Sequence, residues 1–352
     1  MVFPFLTDEA WQAPAHGCRI GTIEMHTGGE PLRVITSGLP PIEGRTVLEK
    51  RRYFREHYDH LRTGLLWEPR GHADMYGAVV TRSDTADFDV FFLHNEGYST
   101  MCGHAIIALT TLALEMASQR QARACSQSEG PLELTINVPA GTVHARGVME
   151  GGRVREVLFR NVASFTYLRD QSVQVAGLGR VRFDIAYGGA FYAIIEAARL
   201  GLALEPREYG RLIDYGRRIK QAIVAHYPIT HPTESDLSFL YGTIFTAPAA
   251  VPEHHSRNVT VFADGEVDRS ATGTGVSARA ALLHARAELR IGETITIESL
   301  LGSTMAVRCV EESRVGPHEA IIPEVSGTAH IIGRSEFCFD PHDPFNRGFL
   351  LR

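Results

Sequence analysis

The chain has 352 residues, 44% of them hydrophobic and 22% charged, enough for two domains with cores of their own. A formal net charge of −6 argues against nucleic acid or another polyanion as partner, and no apolar run approaches the roughly 20 residues that cross a bilayer. The stretch Met1 to Glu9 has no basic segment leading into an apolar one, and the five cysteines (18, 102, 125, 309, 338) form no CxxC pair, so reduced thiols in a cytoplasmic protein are expected.

The first informative stretch is Met25-His26-Thr27-Gly28-Gly29-Glu30-Pro31, a Gly-Gly pair between a predicted strand and the apolar run that follows. Met101-Cys102-Gly103-His104 then opens a predicted helix, Ala105 to Leu114, that is apolar nearly all round and therefore expected to be buried on every side. The polar run from Ala117 to Pro131 reads as the end of that helix and an exposed loop. Leu132 to Val138 and Gly141 to Arg146 alternate apolar and polar residues, as half-buried strands do.

Past residues 164–172 the same order begins again. Gly188-Gly189 stands between Ile185-Ala186-Tyr187 and an apolar run, and a helix is predicted from Pro206 to Ala225. Asp268-Arg269-Ser270-Ala271-Thr272-Gly273-Thr274-Gly275 opens a second apolar helix, Val276 to Ala285. The strands Thr294 to Glu298 and Gly302 to Arg308 complete the repeat. Duplication of one α/β unit is the reading: a first half over 1–167, a second over 168–339, and a tail, 340–352, returning to the first. A buried helix among many short strands implies a sheet rolled around it in each half.

The two helix starts carry the chemistry. A helix N-terminus presents positive potential and free N–H groups, so Cys102 is expected to have a lowered pKa there and to act as a base. The amides of Gly103 and His104 in one half, and of Gly273 and Thr274 in the other, are placed to hold one carboxylate and to stabilise a carbanion at its α-carbon. Asp268 is either a turn residue or the acceptor of a substrate ammonium. Thr272 is a candidate N-cap that can also face a ligand. His104 by itself is more simply a residue lining the helix start. Cys18, Cys125, Cys309 and Cys338 read as small buried hydrophobes. Thr272-Gly273-Thr274-Gly275 lacks the lysine of a phosphate loop, and the histidines lack metal-ligand spacing, so neither metal nor cofactor is expected.

These residues resemble the proline racemase family. The matching stretches are Met25 to Pro31, Gly71-His72-Ala73-Asp74-Met75-Tyr76-Gly77, Met101 to His104, Asp268 to Ser270 with Gly273 to Gly275, and Ile322-Pro323-Glu324-Val325, in family order. The resemblance implies a diaminopimelate-epimerase-like fold, two pseudo-symmetric α/β halves with the site between them, and a cofactor-independent homodimer acting on a small imino acid. It implies a catalytic pair of Cys102 as the base and Thr272 opposite it, hydrogen-bonding the carboxylate or a water, and Gly103, His104, Asp268, Gly273 and Thr274 as the substrate shell, with Phe262 as a ring-packing wall. Ala271 stands where the family commonly has proline. Thr272 replaces the second of the family's two acid-base cysteines, and a hydroxyl is far too weak to substitute for a thiol near neutral pH. Within the family this resembles the branch that dehydrates trans-3-hydroxy-L-proline to Δ1-pyrroline-2-carboxylate, which needs one base. The alternatives are epimerisation of 4-hydroxyproline or racemisation of proline, and, further off, imino-acid binding without catalysis.

Overall fold

The computed structural model describes residues 17–123 and 133–351. The readings made for Met1 to Glu9, for the loop 124–131 and for Cys125 lie outside the described residues. The described α-helices are α1 (Val47–Leu66), α2 (Gly103–Arg123), α3 (Tyr209–His226) and α4 (Gly273–Ala285).

The repeat read from the sequence is a repeat of strand pairings. Strands Cys18–Thr27 and Glu30–Ser37 pair antiparallel about Gly28-Gly29, and Gly179–Tyr187 with Phe191–Glu196 do so about Gly188-Gly189. After α1 and α3 respectively, Tyr76–Thr81 and Leu240–Ala247 return parallel to the strand before the helix. Phe88–His94 and Ser256–Phe262 then pair antiparallel with them. Beyond α2 and α4, Glu133–Val138 and Thr294–Glu298 lie parallel to those strands and form hairpins with Gly141–Glu150 and Thr304–Val315.

Where the copies meet, Arg153–Arg160 pairs with the end of His318–Gly327, Arg160 opposite Glu324 and Val157 opposite Gly327. Each copy then sends a strand to the beginning of a copy. Ser164–Val175 pairs with Gly179–Tyr187, and Ala329–Phe339 runs along Cys18–Thr27. The final segment stays there, with Phe349 donating to the Glu68 carbonyl at 2.8 Å and Asp343 paired with Arg70 at 3.2 Å.

The helices divide by burial as their sequences dictate. In α2, Ala105 through Ala108 are wholly buried, and α4 is buried from Gly273 to Leu283, so strands surround both. Helix α3 is amphipathic and buries Leu212, Gly216, Ile219 and Ile223, spaced by three and four, against the strands Ser164–Val175, Leu240–Ala247 and Ser256–Phe262. The sequence reading assigned no element to α1. Its charged face obscures the stripe Phe54, Leu61 and Leu65 that packs on Phe91. A capping box is nevertheless present: Glu49 N–H donates to Thr46 Oγ1 at 3.2 Å, and Thr46 N–H donates to the Glu49 carboxylate at 3.0 Å. Cys309 is buried as expected, but Cys18 is exposed, because it stands at the very start of its strand.

Candidate active site

Helices α2 and α4 meet end to end at their first residues. A Cβ on Gly103 would stand 2.5 Å from Gly273 Cα, and one on Gly273 would stand 2.6 Å from Gly103 Cα. Only glycine at both positions lets the two N-termini touch. Their first-turn amides, which a helix leaves without intrahelical partners, therefore converge on one small cavity of about 20 Å³. Cys102, Gly103, His104, Asp268, Thr272, Gly273 and Thr274 all line it, as does Phe262. The structure thus places the site residues named from the sequence around one cavity.

Cys102 is 4% exposed. Its Sγ lies 3.2 Å from His104 Nδ1 and receives the Ala105 N–H at 3.4 Å. The expected lowering of its pKa is overturned. Burial pushes the thiol well above its ordinary value of 9.0, the Ala105 amide pulls it down by less, and Asp268 and Glu30 add to the rise. The helix N-terminus acts in the predicted direction, but desolvation is the larger effect. His104 is driven by burial down to about 4, against the pull of Asp268 and a backbone hydrogen bond with Pro31, so its ring is neutral at pH 7. Its carbonyl accepts from Thr27 Oγ1 at 2.8 Å.

Thr272 occupies the N-cap position of α4 without capping it. Its hydroxyl instead donates to Thr260 Oγ1 at 2.8 Å, and its N–H donates to Ser270 Oγ at 3.1 Å. Its φ of +68° is unusual for a β-branched side chain, the kind of strain that collects at functional sites. Thr274 is held by Tyr192, hydroxyl to hydroxyl at 2.7 Å.

Asp268 is buried and accepts the Ser270 N–H at 2.7 Å. Beside it lies Glu30, whose Oε2 accepts the Arg269 N–H at 2.7 Å and whose buried Oε1 has no hydrogen-bond partner. Burial, then Asp268, pushes Glu30 well above the usual carboxylate range. Glu30, His104 and Asp268 each turn a ligand atom toward a common point, within 4.8 Å of one another. Two carboxyl groups and a neutral imidazole make a seat for a cation, whether a metal ion or an ammonium.

Sequence reasoning left four polar lining or supporting residues unassigned: Glu30, Tyr76, Tyr192 and Tyr241. Glu30 and Tyr76 lay within the motifs that carried the family resemblance, and Glu30 in particular was an acidic residue next to a Gly-Gly turn. Tyr241 carries no local signal, since it comes to the cavity through the parallel strand Leu240–Ala247.

The arrangement thus sets the first-turn amides of two helices, a cluster of two carboxyl groups and an imidazole, and one buried thiol around a single cavity. The proline racemase family profile matches residues 22–350, and the chain belongs to that family. It is 49% identical over 335 residues to the trans-3-hydroxy-L-proline dehydratase of Colwellia psychrerythraea, covering 95% of this chain and 93% of that one. It is 42% identical to a 3-hydroxyproline 2-epimerase of Burkholderia multivorans, covering 95% and 98%. Among solved structures, a hydroxyproline epimerase from Agrobacterium vitis with bound trans-4-hydroxy-L-proline superposes with a TM-score of 0.87 at 29% identity, covering 95% of each chain.

Proposed function

We propose that this protein dehydrates trans-3-hydroxy-L-proline to Δ1-pyrroline-2-carboxylate, with Cys102 as its one acid-base group. The observation that carries the reading is the asymmetry of the two helix starts: a thiol on one, and on the other a threonine whose hydroxyl is given to Thr260. Similarity to the Colwellia dehydratase over nearly the whole chain supports the same substrate.

The chemistry follows from the lining. The substrate carboxylate takes the amides of Gly103, His104, Gly273 and Thr274, which stabilise negative charge developing at the α-carbon. The ring ammonium takes the seat of Asp268, His104 and Glu30. In this diastereomer the hydroxyl is trans to the carboxylate and so shares a face with the α-hydrogen. Cys102 thiolate removes the α-proton. The electron pair of the broken C–H bond forms the double bond to C3, the C3–O bond breaks, and the thiol proton leaves with the hydroxide as water. The enamine product tautomerises to the pyrroline. No second base is required, and the reading calls for no metal or cofactor. The catalytic unit is the cysteine alone, in keeping with a hydroxyl's weakness as an acid-base group at this pH.

The second reading is epimerisation, favoured by the names of the Burkholderia and Agrobacterium relatives. Incubation in deuterated water with trans-3-hydroxy-L-proline, trans-4-hydroxy-L-proline and L-proline, followed by NMR and by a colour reaction for pyrroline carboxylate, separates the two. Pyrroline from the 3-hydroxy compound alone is the expected result. Deuterated epimers without pyrroline would replace the dehydratase reading by an isomerase.

A further inference from the structure

One wall of the cavity carries a chain of hydroxyl groups that the mechanism above leaves unused. The Tyr76 hydroxyl donates to Ser99 Oγ and lies 3.5 Å from the Tyr241 hydroxyl. Ser99 Oγ in turn faces the Met101 carbonyl at 3.5 Å. Tyr76 is 3% exposed, with its ring edge-on to Phe262 and to His104. Its partners, Ser99 and Tyr241, are hydroxyls that can each donate or accept, so the phenol can turn its own proton toward a ligand without losing them. Tyr76 lines the cavity together with Cys102, and its ring centroid lies 4.8 Å from that of His104, whose Nδ1 is 3.2 Å from the thiol.

Two polar side chains therefore flank the base. His104 belongs to the cation seat with Asp268 and Glu30. Of the other hydroxyls lining the cavity, Thr272 is given to Thr260 and Thr274 is paired with Tyr192, which leaves Tyr76, backed by Tyr241, for the remaining polar group of the substrate. A hydroxyl syn to the α-hydrogen must lie beside Sγ, because both are handled on one face. We propose that Tyr76 binds the substrate's 3-hydroxyl and is the residue that selects 3-hydroxylated ring carboxylates over those that lack the group; this rests on the dehydratase reading. As the phenol turns its proton from Ser99 to the substrate oxygen, Ser99 can return its own to the phenolic oxygen. Burial holds the phenol neutral, far above its ordinary value of 10.0. It thus donates a hydrogen bond and keeps its proton. The proton that leaves with the hydroxyl is the one Cys102 took from the α-carbon, and the thiolate is regenerated.

The test is Tyr76→Phe, which keeps the ring. Expected is a roughly 10- to 100-fold loss in kcat/KM for trans-3-hydroxy-L-proline dehydration. The inhibition constant of pyrrole-2-carboxylate, a planar ring carboxylate with no hydroxyl, should stay within about twofold of the unmodified protein, since that ligand makes no call on the phenol. Equal losses in both readouts would reduce Tyr76 to a packing role and overturn the proposal. Undiminished dehydration would overturn it as well. Failure of the unmodified protein to dehydrate the 3-hydroxy compound would instead remove the dehydratase reading, and this inference with it.

Discussion

Adding one methyl group at the junction of the helices should cost most of the activity and little of the fold. In Gly103→Ala the new Cβ would lie 2.5 Å from Gly273 Cα, 3.0 Å from Gly273 C and 3.2 Å from Phe159 Cζ, where ordinary contact begins at 3.4 Å. Two of the three obstacles are backbone, so no rotamer relieves the clash. The helix starts must part by about 1 Å, and displacement of that size in a positioned site costs on the order of 100-fold in rate. Overpacking of this kind destabilises by about 1–3 kcal/mol, which a domain of this size survives. The reciprocal change, Gly273→Ala, meets Gly103 Cα at 2.6 Å and should behave alike. Because either methyl opens the same gap, the double variant should be only slightly slower than each single one, a strong departure from additivity. The assay is pyrroline formation from trans-3-hydroxy-L-proline, with thermal denaturation run alongside. A Gly103→Ala protein within threefold of the unmodified rate, or two singles whose losses multiply in the double, would refute the idea that contact between these two backbones sets the site.

Three further outcomes are expected. Cys102→Ser should lower dehydration by at least about 100-fold while pyrrole-2-carboxylate still binds, since a general base is worth ~10²–10⁴ and serine is a poor one; full activity in that variant would remove Cys102 from its role. The reactive form of a thiol is the anion, present only above its pKa, so burial of Cys102 moves its reactivity upward: alkylation of Cys102, followed by peptide mass spectrometry, should still be accelerating at pH 9, and a plateau below that pH would contradict the desolvated thiol. Burial would raise the Glu298 carboxyl, but hydrogen bonds from Ala250, Val251, His254 and Arg257 outweigh it and hold the group down at about 2 instead of 4.5. Its contribution, on the order of 3 kcal/mol, is complete above the unfolded value and lost as pH falls through the folded one, so Glu298→Gln should be less stable at pH 7 and lose less on acidification; identical acid-unfolding curves would count against it.

The duplication was legible because turn glycines and all-apolar helices are local signals that survive in both copies: Gly28-Gly29 with Gly188-Gly189, and the helices after Cys102 and Thr272. The site residues on those helix starts were legible for the same reason. What escaped is non-local or masked. Helix α1 hides its apolar stripe among arginines and glutamates, although Thr46 and Glu49 announce its start. Tyr241 reaches the cavity only because Leu240–Ala247 lies parallel to Phe191–Glu196, a pairing no short window encodes. The direction of the Cys102 shift escaped because a sequence displays the helix terminus but not the depth of burial, and burial outweighs the terminus here.

That upward shift bears on how one thiol serves as a base at all. Besides desolvation, Asp268 holds Cys102 neutral, and Asp268 belongs to the cation seat. On the dehydratase reading, a ring ammonium in that seat would offset the repulsion of Asp268 and add an attraction of its own, so the bound zwitterion would favour the thiolate. On the same reading the amides of Gly103, His104, Gly273 and Thr274 would hold the carboxylate and stabilise the carbanion that forms beside the thiol. A thiol kept protonated until a substrate binds would be protected from alkylation and oxidation in the meantime, since both need the thiolate. A ligand that carries the carboxylate but no cationic nitrogen, such as pyrrole-2-carboxylate, should therefore bind without awakening the thiol, whereas L-proline should exchange its α-hydrogen for deuterium through Cys102 without yielding pyrroline.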